Sequence, residues 1–502
     1  MRVLFVSSEI YPLAKTGGLA DVSAALPNAL ARLGVEMHLL MPGYPRAIDA
    51  AVQKSVAVAL DDFMGAGPLR LIAGCIPETG LPLWLIDCPA LFRRPGGLYQ
   101  DEYGQNWPDN ALRFAVLNHI AAQLSLGQLL PDWRADIVHA NDWHAGLVPA
   151  ILAGTPGQRP ASVFTMHNLA YQGVFPAAVY PQLGLPADAF SADGVEFYGQ
   201  VSFLKAGIRY SDRLTTVSPT YAREILTPEY GFGLDGLLRH RAADLVGILN
   251  GADYRIWDPA LDGNLAANFD AKHIALKRVC KAALQDEMGL DVAPEAPLFV
   301  HVSRIAEQKM ADVVAEVLPA LVEKGAQCAL LGDGERGLEA RFVAAARQHP
   351  GRIATRIGYE EPLAHRFLAS GDVLLHPARF EPCGLTQLYA MRYGTLPVVR
   401  RTGGLRDTVV DADDQGLRQG IATGFAFESA TAADLLFATE RAIALYRQPL
   451  AWRKVQRQAM AQNFDWSESA CRYLALYRDL VPEPALISDP VIVEPMRQEK
   501  AG

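Results

Sequence analysis

Cysteine is scarce in this chain of 502 residues. Its six cysteines, at positions 75, 88, 280, 328, 383 and 471, are widely scattered, with no CxxC pair and no cluster with histidine. This spacing argues against a disulfide framework and against structural zinc, so a reducing cytoplasm is the expected compartment. Long apolar runs are missing as well. Because no stretch approaches the ~18 uninterrupted apolar residues of a membrane helix, we expect no membrane partner.

Positive charge is also in short supply. Lysine and arginine total 46 against 55 acidic residues, which gives a formal net charge of −9, and they form no long basic run. Nucleic-acid binders usually carry a basic stripe, so we expect no nucleic-acid partner. Any anionic small ligand must instead be held by a local group of cations. The first residues, MRVLFVSSE, predict a β-strand rather than a secretory signal, because Glu9 ends a short apolar run.

Short β-branched runs alternate with Ala- and Leu-rich stretches along the chain. This alternation predicts an α/β fold of βα units around parallel sheets. The length exceeds one ordinary core, which gives two or three domains as the first expectation, and the predicted strands divide evenly into two domains. We place them at residues 1–247 and 248–481, with the boundary at the glycines around 247–251. Residues 482–502 are rich in proline and charge without periodicity, and we predict a mobile tail there.

The sequence contains one short internal repeat. Lys15-Thr16-Gly17-Gly18-Leu19-Ala20-Asp21 returns as Arg401-Thr402-Gly403-Gly404-Leu405-Arg406-Asp407. Glycine-rich matches of this length also arise by chance. The repeat agrees with two similarly built halves, each with a glycine turn that begins a helix.

Cations stand beside two of the predicted strand ends. Lys15 precedes the Gly17-Gly18 turn, where the backbone can approach a phosphate closely; a structural turn beside a surface lysine fits equally well. Arg304 and Lys309 follow the buried-looking run PLFVHVS. Such a pair suits a pyrophosphate, although a solvated helix start has the same appearance.

Carboxylates and histidines follow other strands. Asp142 and His144 come after ADIVHAN, His167 ends SVFTMH, and Glu381 follows VLLHPARF. Ligands of open parallel sheets bind beyond the carboxyl ends of the strands, so we predict one site along this edge. Asp142 and the histidines could serve as acids or bases, or as structural donors. Glu381 could bind sugar hydroxyls, or could stabilise the start of a helix.

The run 332–337, GDGERG, matches the dinucleotide fingerprint G-x-G-x-x-G. It does not open its domain, and no acidic residue follows a second strand ~20 residues later to bind a ribose. An NAD-dependent oxidoreductase therefore remains only as an alternative. The DxD-like run 411–413 lies in a polar loop and gives little support for a metal, so we expect neither a metal nor a cofactor.

Several longer motifs resemble those of bacterial glycogen synthases and plant starch synthases. They are KTGGLADV at 15–22, HANDWH at 139–144, HNLAYQG at 167–173, NGAD at 250–253 and FEPCGLTQLY at 380–389. The resemblance spans roughly residues 1–480. It implies the GT-B glycosyltransferase fold, in which two doubly wound, Rossmann-like domains face each other across a cleft and the final helix, near 466–477, crosses back to the first domain. It also implies metal-independent, retaining transfer of glucose from ADP-glucose to an α-1,4-glucan.

The resemblance further implies roles for individual residues. The cations and the first turn would approach the donor phosphates, through Lys15, Gly17, Gly18, Arg304 and Lys309. The donor sugar and phosphates would also meet Glu381, Cys383, Gly384, Leu385 and Thr386, together with Asn250, Lys281 and the backbone carbonyl of His167. The acceptor side and the rest of the cleft would contain Asp21, Tyr99 and Asp142.

Four positions depart from the family pattern, two of them being Ala252, where isoleucine is common, and Cys280, where asparagine is frequent. Met310 stands where glycine is usual after Lys309, which puts the turn into the next helix in question. Ala378 stands where serine is frequent, and its methyl group would remove one hydrogen bond near the donor. The open alternatives are a related transferase with another donor, such as UDP-glucose, or a sucrose synthase relative. A catalytically silent glucan-binding relative is also possible from the sequence.

Overall fold

The computed structural model describes residues 1–481, so the predicted tail at 482–502 lies outside the described residues. Within that range no helix is long and apolar enough to cross a membrane. Two α/β units lie side by side, each with helices on both faces of a largely parallel sheet. This confirms the predicted fold class.

The first unit is built on nine strands. They are β1 (Arg2–Val6), β2 (Glu36–Pro42), β3 (Val52–Leu60), β4 (Leu69–Cys75), β5 (Pro82–Asp87), β6 (Ile137–Asn141), β7 (Ala161–Met166), β11 (Arg213–Thr216) and β12 (Leu245–Gly247). Their order is β12-β11-β7-β6-β1-β2-β5-β4-β3. Pairing is parallel from β12 to β5, and the edge strands β4 and β3 are antiparallel. A small antiparallel sheet beside it contains β8 (Val174–Pro176), β9 (Glu196–Phe197) and β10 (Gln200–Ser202).

The second unit has six strands, all paired in parallel. They are β13 (Leu298–Val302), β14 (Gln327–Gly332), β15 (Ile353–Ile357), β16 (Val373–Leu375), β17 (Leu396–Arg400) and β18 (Phe425–Phe427). Their order, β15-β14-β13-β16-β17-β18, is that of the dinucleotide-binding fold. The apolar runs that predict these strands are buried on both faces, as in β13, where all five residues are buried.

Helices cover the faces of both sheets. They are α1 (Gly18–Arg32), α2 (Pro45–Ala50), α3 (Pro89–Phe92), α4 (Asn110–Ser125), α5 (Leu147–Ala153), α6 (Phe203–Tyr210), α7 (Pro219–Glu224), α8 (Asp235–His240), α9 (Lys277–Glu287), α10 (Ala311–Glu323), α11 (Arg336–Gln348), α12 (Glu361–Ser370), α13 (Thr386–Arg392), α14 (Gly403–Thr408), α15 (Asp414–Gln419), α16 (Ala432–Tyr446), α17 (Pro449–Met460) and α18 (Trp466–Leu480). Several begin at a side-chain cap, because Ser202, Ser218 and Thr431 each accept a hydrogen bond from the amide three residues later.

Two separate hydrophobic cores correspond to the two units. The first contains residues between Val3 and Ile248, and the second contains residues between Ala252 and Met460. Helix α18 returns to the first core, as expected from the family resemblance. There the Tyr477 hydroxyl lies 2.6 Å from Nδ1 of His139, which is fully buried inside the sheet.

Gly247 and Gly251, in the segment that connects the two units, allow close packing of the backbone. A Cβ atom at Gly247 would collide with the carbonyl oxygen of Ser218, and one at Gly251 would lie 2.8 Å from the Cα of Trp466. Helix α18 adds hydrogen bonds here, from Ser469 to the carbonyl of Leu249 and from Arg472 to the carbonyl of Gly247. The connecting segment therefore packs closely against Ser218 of the first unit and against α18.

Candidate active site

A cavity of about 2050 Å³ lies between the two units, at the carboxyl ends of both parallel sheets. In each sheet the chain leaves neighbouring strands in opposite directions, β1 and β6 in the first and β13 and β16 in the second, which opens a crevice at the strand ends. All but one of the predicted site residues line the cavity: Lys15, Gly17, Gly18, Asp21, Tyr99, Asp142, His167, Asn250, Arg304, Lys309, Glu381, Cys383, Gly384, Leu385 and Thr386.

The turn at 15–18 is organised by Glu9, which follows β1. Its carboxylate accepts hydrogen bonds from the Thr16 amide and hydroxyl, both at 2.5 Å, and from the Gly17 amide at 3.2 Å. The hydroxyl of Tyr99 donates to the same carboxylate at 2.5 Å. The Gly17 amide, which was predicted to face a phosphate, therefore donates to Glu9 instead. The turn itself approaches the other unit, since a Cβ at Gly18 would lie 3.4 Å from Leu385.

Lys15 connects the two units across the cavity. Its Nζ lies 2.8 Å from Asp21 in the same unit and 3.0 Å from Glu361 at the start of α12 in the other. Burial opposes the charge of Lys15, but the carboxylates, first of all Asp21, outweigh it and raise its pKa. Lys15 is therefore a firmly charged cation at the opening between the units.

Asp142 occupies a strained position directly after β6. Its φ is +55°, a value that costs non-glycine residues on the order of 1–3 kcal/mol and that is found most often at functional sites. The side chain is only 9% exposed, and its Oδ1 accepts from the amide of His167 at 2.7 Å. Burial raises the pKa of Asp142 to about 7, although the amides of His167 and Asn168 oppose the increase. The carboxyl group can thus exchange a proton near neutral pH.

The histidines around Asp142 are neutral. Burial lowers the pKa of His167 to about 3, and its Nε2 lies 3.0 Å from Oδ1 of Asn141. The Asn141 amide nitrogen donates to two backbone carbonyls, so its oxygen must face His167, and Nε2 must carry the proton. His144 is stacked on Tyr99 with ring centroids 4.6 Å apart, and burial lowers its pKa well below the usual value. Neither histidine is suited to act as a base at neutral pH.

The second unit supplies two further cations. Arg304, after β13, donates to the hydroxyl of Tyr171 in the first unit at 2.7 Å and is otherwise exposed. Lys309 makes an ion pair with Glu381, and both side chains are largely buried. Lys309 and Glu381, predicted to act on phosphate and sugar respectively, are therefore direct neighbours.

The segment 381–386, called here the donor loop, enters α13 through a constrained turn. Gly384 has a φ of +73°, and a Cβ there would collide with the side chain of Gln387, whose amide nitrogen donates to the carbonyls of Cys383 and Gly384. Glycine is thus required. Burial raises the pKa of Cys383 to about 12, so its thiol is not a nucleophile. Nearby, Asn250 is buried with an Oδ1 that has no partner among the described residues.

Lys281 is the predicted site residue that lies elsewhere. It sits on α9 behind the sheet, where its Nζ contacts Asp372 at 2.7 Å and the carbonyl of Ala296 at 2.6 Å. Its side chain is 6% exposed, and it does not line the cavity. The expectation that Lys281 completes the cleft is therefore corrected: its charge is used to join α9 to the start of β16.

The structure accounts for two of the departures from the family pattern, those at Met310 and Ala378. Met310 adopts the left-handed backbone conformation, with φ +51° and ψ +33°, that glycine favours at this turn, and its side chain is fully buried. The turn is thus compatible with methionine. Ala378 packs against Val399, Leu405 and Val409 in a small apolar cluster and does not line the cavity. The expected loss of a hydrogen bond to the donor at this position is therefore not supported.

The dinucleotide-like run at 332–337 is explained by packing. A Cβ at Gly332 would collide with the carbonyl of Ser303, and one at Gly334 with the carbonyl of Ile305. The glycines let the segment after β13 lie against the end of β14, which places Arg304. Across residues 1–481 there is also no group of three or more His, Cys, Asp or Glu side chains arranged to hold a metal ion.

Sequence reasoning did not select several cavity residues. His376 follows β16, is 3% exposed, and has two ring nitrogens without a partner in the described chain; its Nε2 lies 3.9 Å from Glu381. Glu361 and Tyr171 supply contacts between the units on the cavity side. The available signals were the position of His376 shortly before the FEPCG motif and that of Tyr171 within the HNLAYQG motif, whereas no local pattern marks Glu361.

Comparison with known proteins agrees with this architecture. A family model described as the starch synthase catalytic domain matches residues 2–240, and one described as glycosyl transferases group 1 matches residues 296–444. Curated relatives named glycogen synthase come from Paramagnetospirillum magneticum, 54% identical over 96% of this chain and 98% of the relative, and from Burkholderia thailandensis, 51% identical over 95% and 90%. A third, from Thioalkalivibrio sulfidiphilus, is 48% identical over 96% and 100%.

Solved structures show the same arrangement. The catalytic domain of starch synthase IV from Arabidopsis thaliana, bound to ADP and acarbose, superposes with a TM-score of 0.87 at 31% identity, over 96% of this chain and 99% of that chain. Sucrose-phosphate synthase from Thermosynechococcus elongatus has a TM-score of 0.59 at 17% identity, over 95% of this chain and 98% of that chain, and supports the fold alone. With its full-length similarity to these relatives and its GT-B fold, the chain belongs to the glycogen synthase family of glucosyltransferases.

Proposed function

We propose that this protein transfers glucose from ADP-glucose to the 4-hydroxyl at the non-reducing end of an α-1,4-glucan, with retention of anomeric configuration. The relatives named glycogen synthase support the reaction, and the related starch synthase bound to ADP and acarbose supports the two substrates. The observation that carries the proposal is the cavity between the units. It combines Lys15 and Asp142 of the first unit with Arg304 and Lys309 of the second.

The cations are assigned to the donor diphosphate. When the bond between the anomeric carbon and the phosphate oxygen breaks, its electron pair moves to the leaving ADP, and positive character develops on the sugar. Arg304 can donate two hydrogen bonds to phosphate, while Lys309 and Lys15 act as point charges. Stabilisation of charge that develops in the transition state is often the largest catalytic contribution. The donor loop, from Glu381 onward, is assigned to the sugar hydroxyls and the phosphate.

The acceptor 4-hydroxyl is assigned to the side of Asp142. It attacks the anomeric carbon from the face that ADP leaves, and its proton passes to a phosphate oxygen of the departing ADP. No protein base is needed for this step, which agrees with the neutral state of His167. Approach of the two units excludes water, which would otherwise hydrolyse the activated sugar. No metal or cofactor enters the scheme.

The test is an assay of the purified protein with glycogen and either ADP-glucose or UDP-glucose. We expect release of ADP together with extension of the glucan chains, and much slower turnover of UDP-glucose. A Lys309→Ala variant serves as the background control. Equal or faster turnover of UDP-glucose would contradict the donor assignment. Release of nucleotide without chain extension would contradict the transferase assignment.

A further inference from the structure

The two Thr-Gly-Gly turns of the internal repeat each donate hydrogen bonds to the side chain of a glutamate in the same manner. In the first turn, residues 15–18, the Thr16 hydroxyl and the Gly17 amide donate to Glu9 at 2.5 and 3.2 Å. In the second turn, residues 401–404, the Thr402 hydroxyl donates to Glu224 at 3.2 Å, and the Gly403 amide donates to both of its oxygens at 3.0 and 3.1 Å. The two turns of the internal repeat are therefore similar in structure as well as in sequence.

The origin of the carboxylate differs between the turns. Glu9 belongs to the same unit as the first turn, at the end of β1. Glu224 is the last residue of α7 in the first unit, whereas the second turn belongs to the second unit. The contact of Glu224 with residues 402 and 403 thus crosses from one unit to the other.

A second contact joins the opposite ends of the same two helices, α7 and α14. Asp407, on α14, accepts from the Thr220 amide at 2.9 Å and from the Thr220 hydroxyl at 2.6 Å, at the beginning of α7. The carboxylate at the end of each short helix therefore binds the residues that begin the other. The two helices form a joint between the units with two attachment points, Glu224 and Asp407.

The second turn also supports the donor loop. The Gly404 amide donates to the Glu381 carbonyl at 3.1 Å. A Cβ at Gly403 would collide with the same carbonyl, and a Cβ at Gly404 would collide with the carbonyl of Cys383. Only glycines allow the two backbones to approach this closely. A shift of the second turn must therefore move the backbone of Glu381.

We infer that Glu224 is a positioning residue for glucosyl transfer: it holds the second turn, and through this turn the donor loop, in a fixed relation to the first unit. The inference rests on the proposed function, because it concerns the loop assigned to the donor. Glu224 is not among the residues that line the cavity, so it acts without touching substrate. On the cavity side the units also meet through the contact of Lys15 with Glu361 and that of Arg304 with Tyr171.

The experiment compares four variants of the full chain. Glu224→Ala removes the acceptor for the second turn, and Asp407→Ala removes the other attachment point. Glu224→Gln keeps Oε1, which can accept from both Thr402 and Gly403. Glu440→Ala is the matched control, because Glu440 pairs with Lys324 on the surface of the second unit. For each protein we would measure kcat and KM for ADP-glucose, thermal unfolding, and small-angle scattering with ADP.

We expect Glu224→Ala to lower kcat by about 10-fold or more, as for loss of hydrogen bonds to a charged group. Its radius of gyration with ADP should exceed that of the wild type. Asp407→Ala should show the same changes to a smaller extent, Glu224→Gln should retain kcat within about threefold of the wild type, and Glu440→Ala should be unchanged.

A kcat of Glu224→Ala within twofold of the wild type would overturn the inference, and so would a lower unfolding temperature with unchanged kcat, which describes a merely stabilising contact. A loss of kcat with wild-type scattering would overturn it as well. Failure of the proposed function is distinguishable, because the wild type would then not transfer glucose, while scattering with ADP still tests the joint.

Discussion

Replacing Asp142 with asparagine should stabilise the protein at alkaline pH while it impairs activity. The residue is 9% exposed, and among the described residues no cation compensates for burial of its charge. Burial raises its pKa to about 7, from the 3.8 of an exposed aspartate. Asparagine keeps the oxygen that accepts from the amide of His167 and has nearly the same size and shape as aspartate.

The sign of the pH dependence follows from linkage. The folded protein keeps a proton on Asp142 that the unfolded chain has already released between about pH 4 and pH 7, so the stability falls as the pH rises through this window. The folded and unfolded pKa values differ by about 3. Because each pKa unit corresponds to about 1.4 kcal/mol, ionisation of Asp142 lowers the free energy of unfolding by about 4 kcal/mol above pH 7. At pH 5 this cost is about 1–2 kcal/mol. Asp142→Asn removes this cost, so its gain should be larger at pH 8 than at pH 5.

The assay is urea unfolding, followed by circular dichroism, at pH 5 and pH 8. Asp212→Asn is a control of opposite sign, because hydrogen bonds from Arg159 and Ser162 outweigh burial and lower the pKa of Asp212. This control should be less stable than the wild type at both pH values. We also expect Asp142→Asn to lower kcat by at least about 10-fold. A variant that is less stable than the wild type at pH 8, or equally stabilised at both pH values, would refute the reasoning.

Three further predictions concern the donor site and the cleft. Activity should persist in EDTA, because the diphosphate is assigned to cations of the protein; loss of turnover that Mg²⁺ or Mn²⁺ restores would contradict this. Arg304→Ala and Lys309→Ala should each lower kcat by at least ~100-fold, or ~2.7 kcal/mol, with an unchanged circular dichroism spectrum; near-normal turnover would contradict their role in stabilising the leaving diphosphate. The two units should close on ADP plus a glucan oligomer about a hinge near residues 247–253, which scattering measures as a smaller radius of gyration; a constant radius during demonstrated turnover would indicate a preformed cleft.

The strand pattern and the strand-end residues were predictable from the sequence alone. Buried parallel strands require continuous apolar runs, as in LFVHV and QCALLG, and the residue after each run must lie at the carboxyl edge of its sheet. Lys15, Asp142, Arg304 and Glu381 therefore fall at one edge for a reason that is local to the chain. The long family motifs added the substrate class, which periodicity cannot provide.

The partners of these residues were decided only by the tertiary structure. Nothing near Lys15 in the chain indicates that Glu361 will contact it, and nothing near Thr402 indicates Glu224, because these contacts join residues far apart in sequence. Lys281 shows the same limit, since its position in a familiar motif did not reveal that Asp372 would bind it behind the sheet. The pKa of Asp142 likewise depends on burial, which arises from the packing of whole domains. Local sequence determines where each strand ends and which side chain stands there, but which charges meet is determined by how two folded domains approach each other.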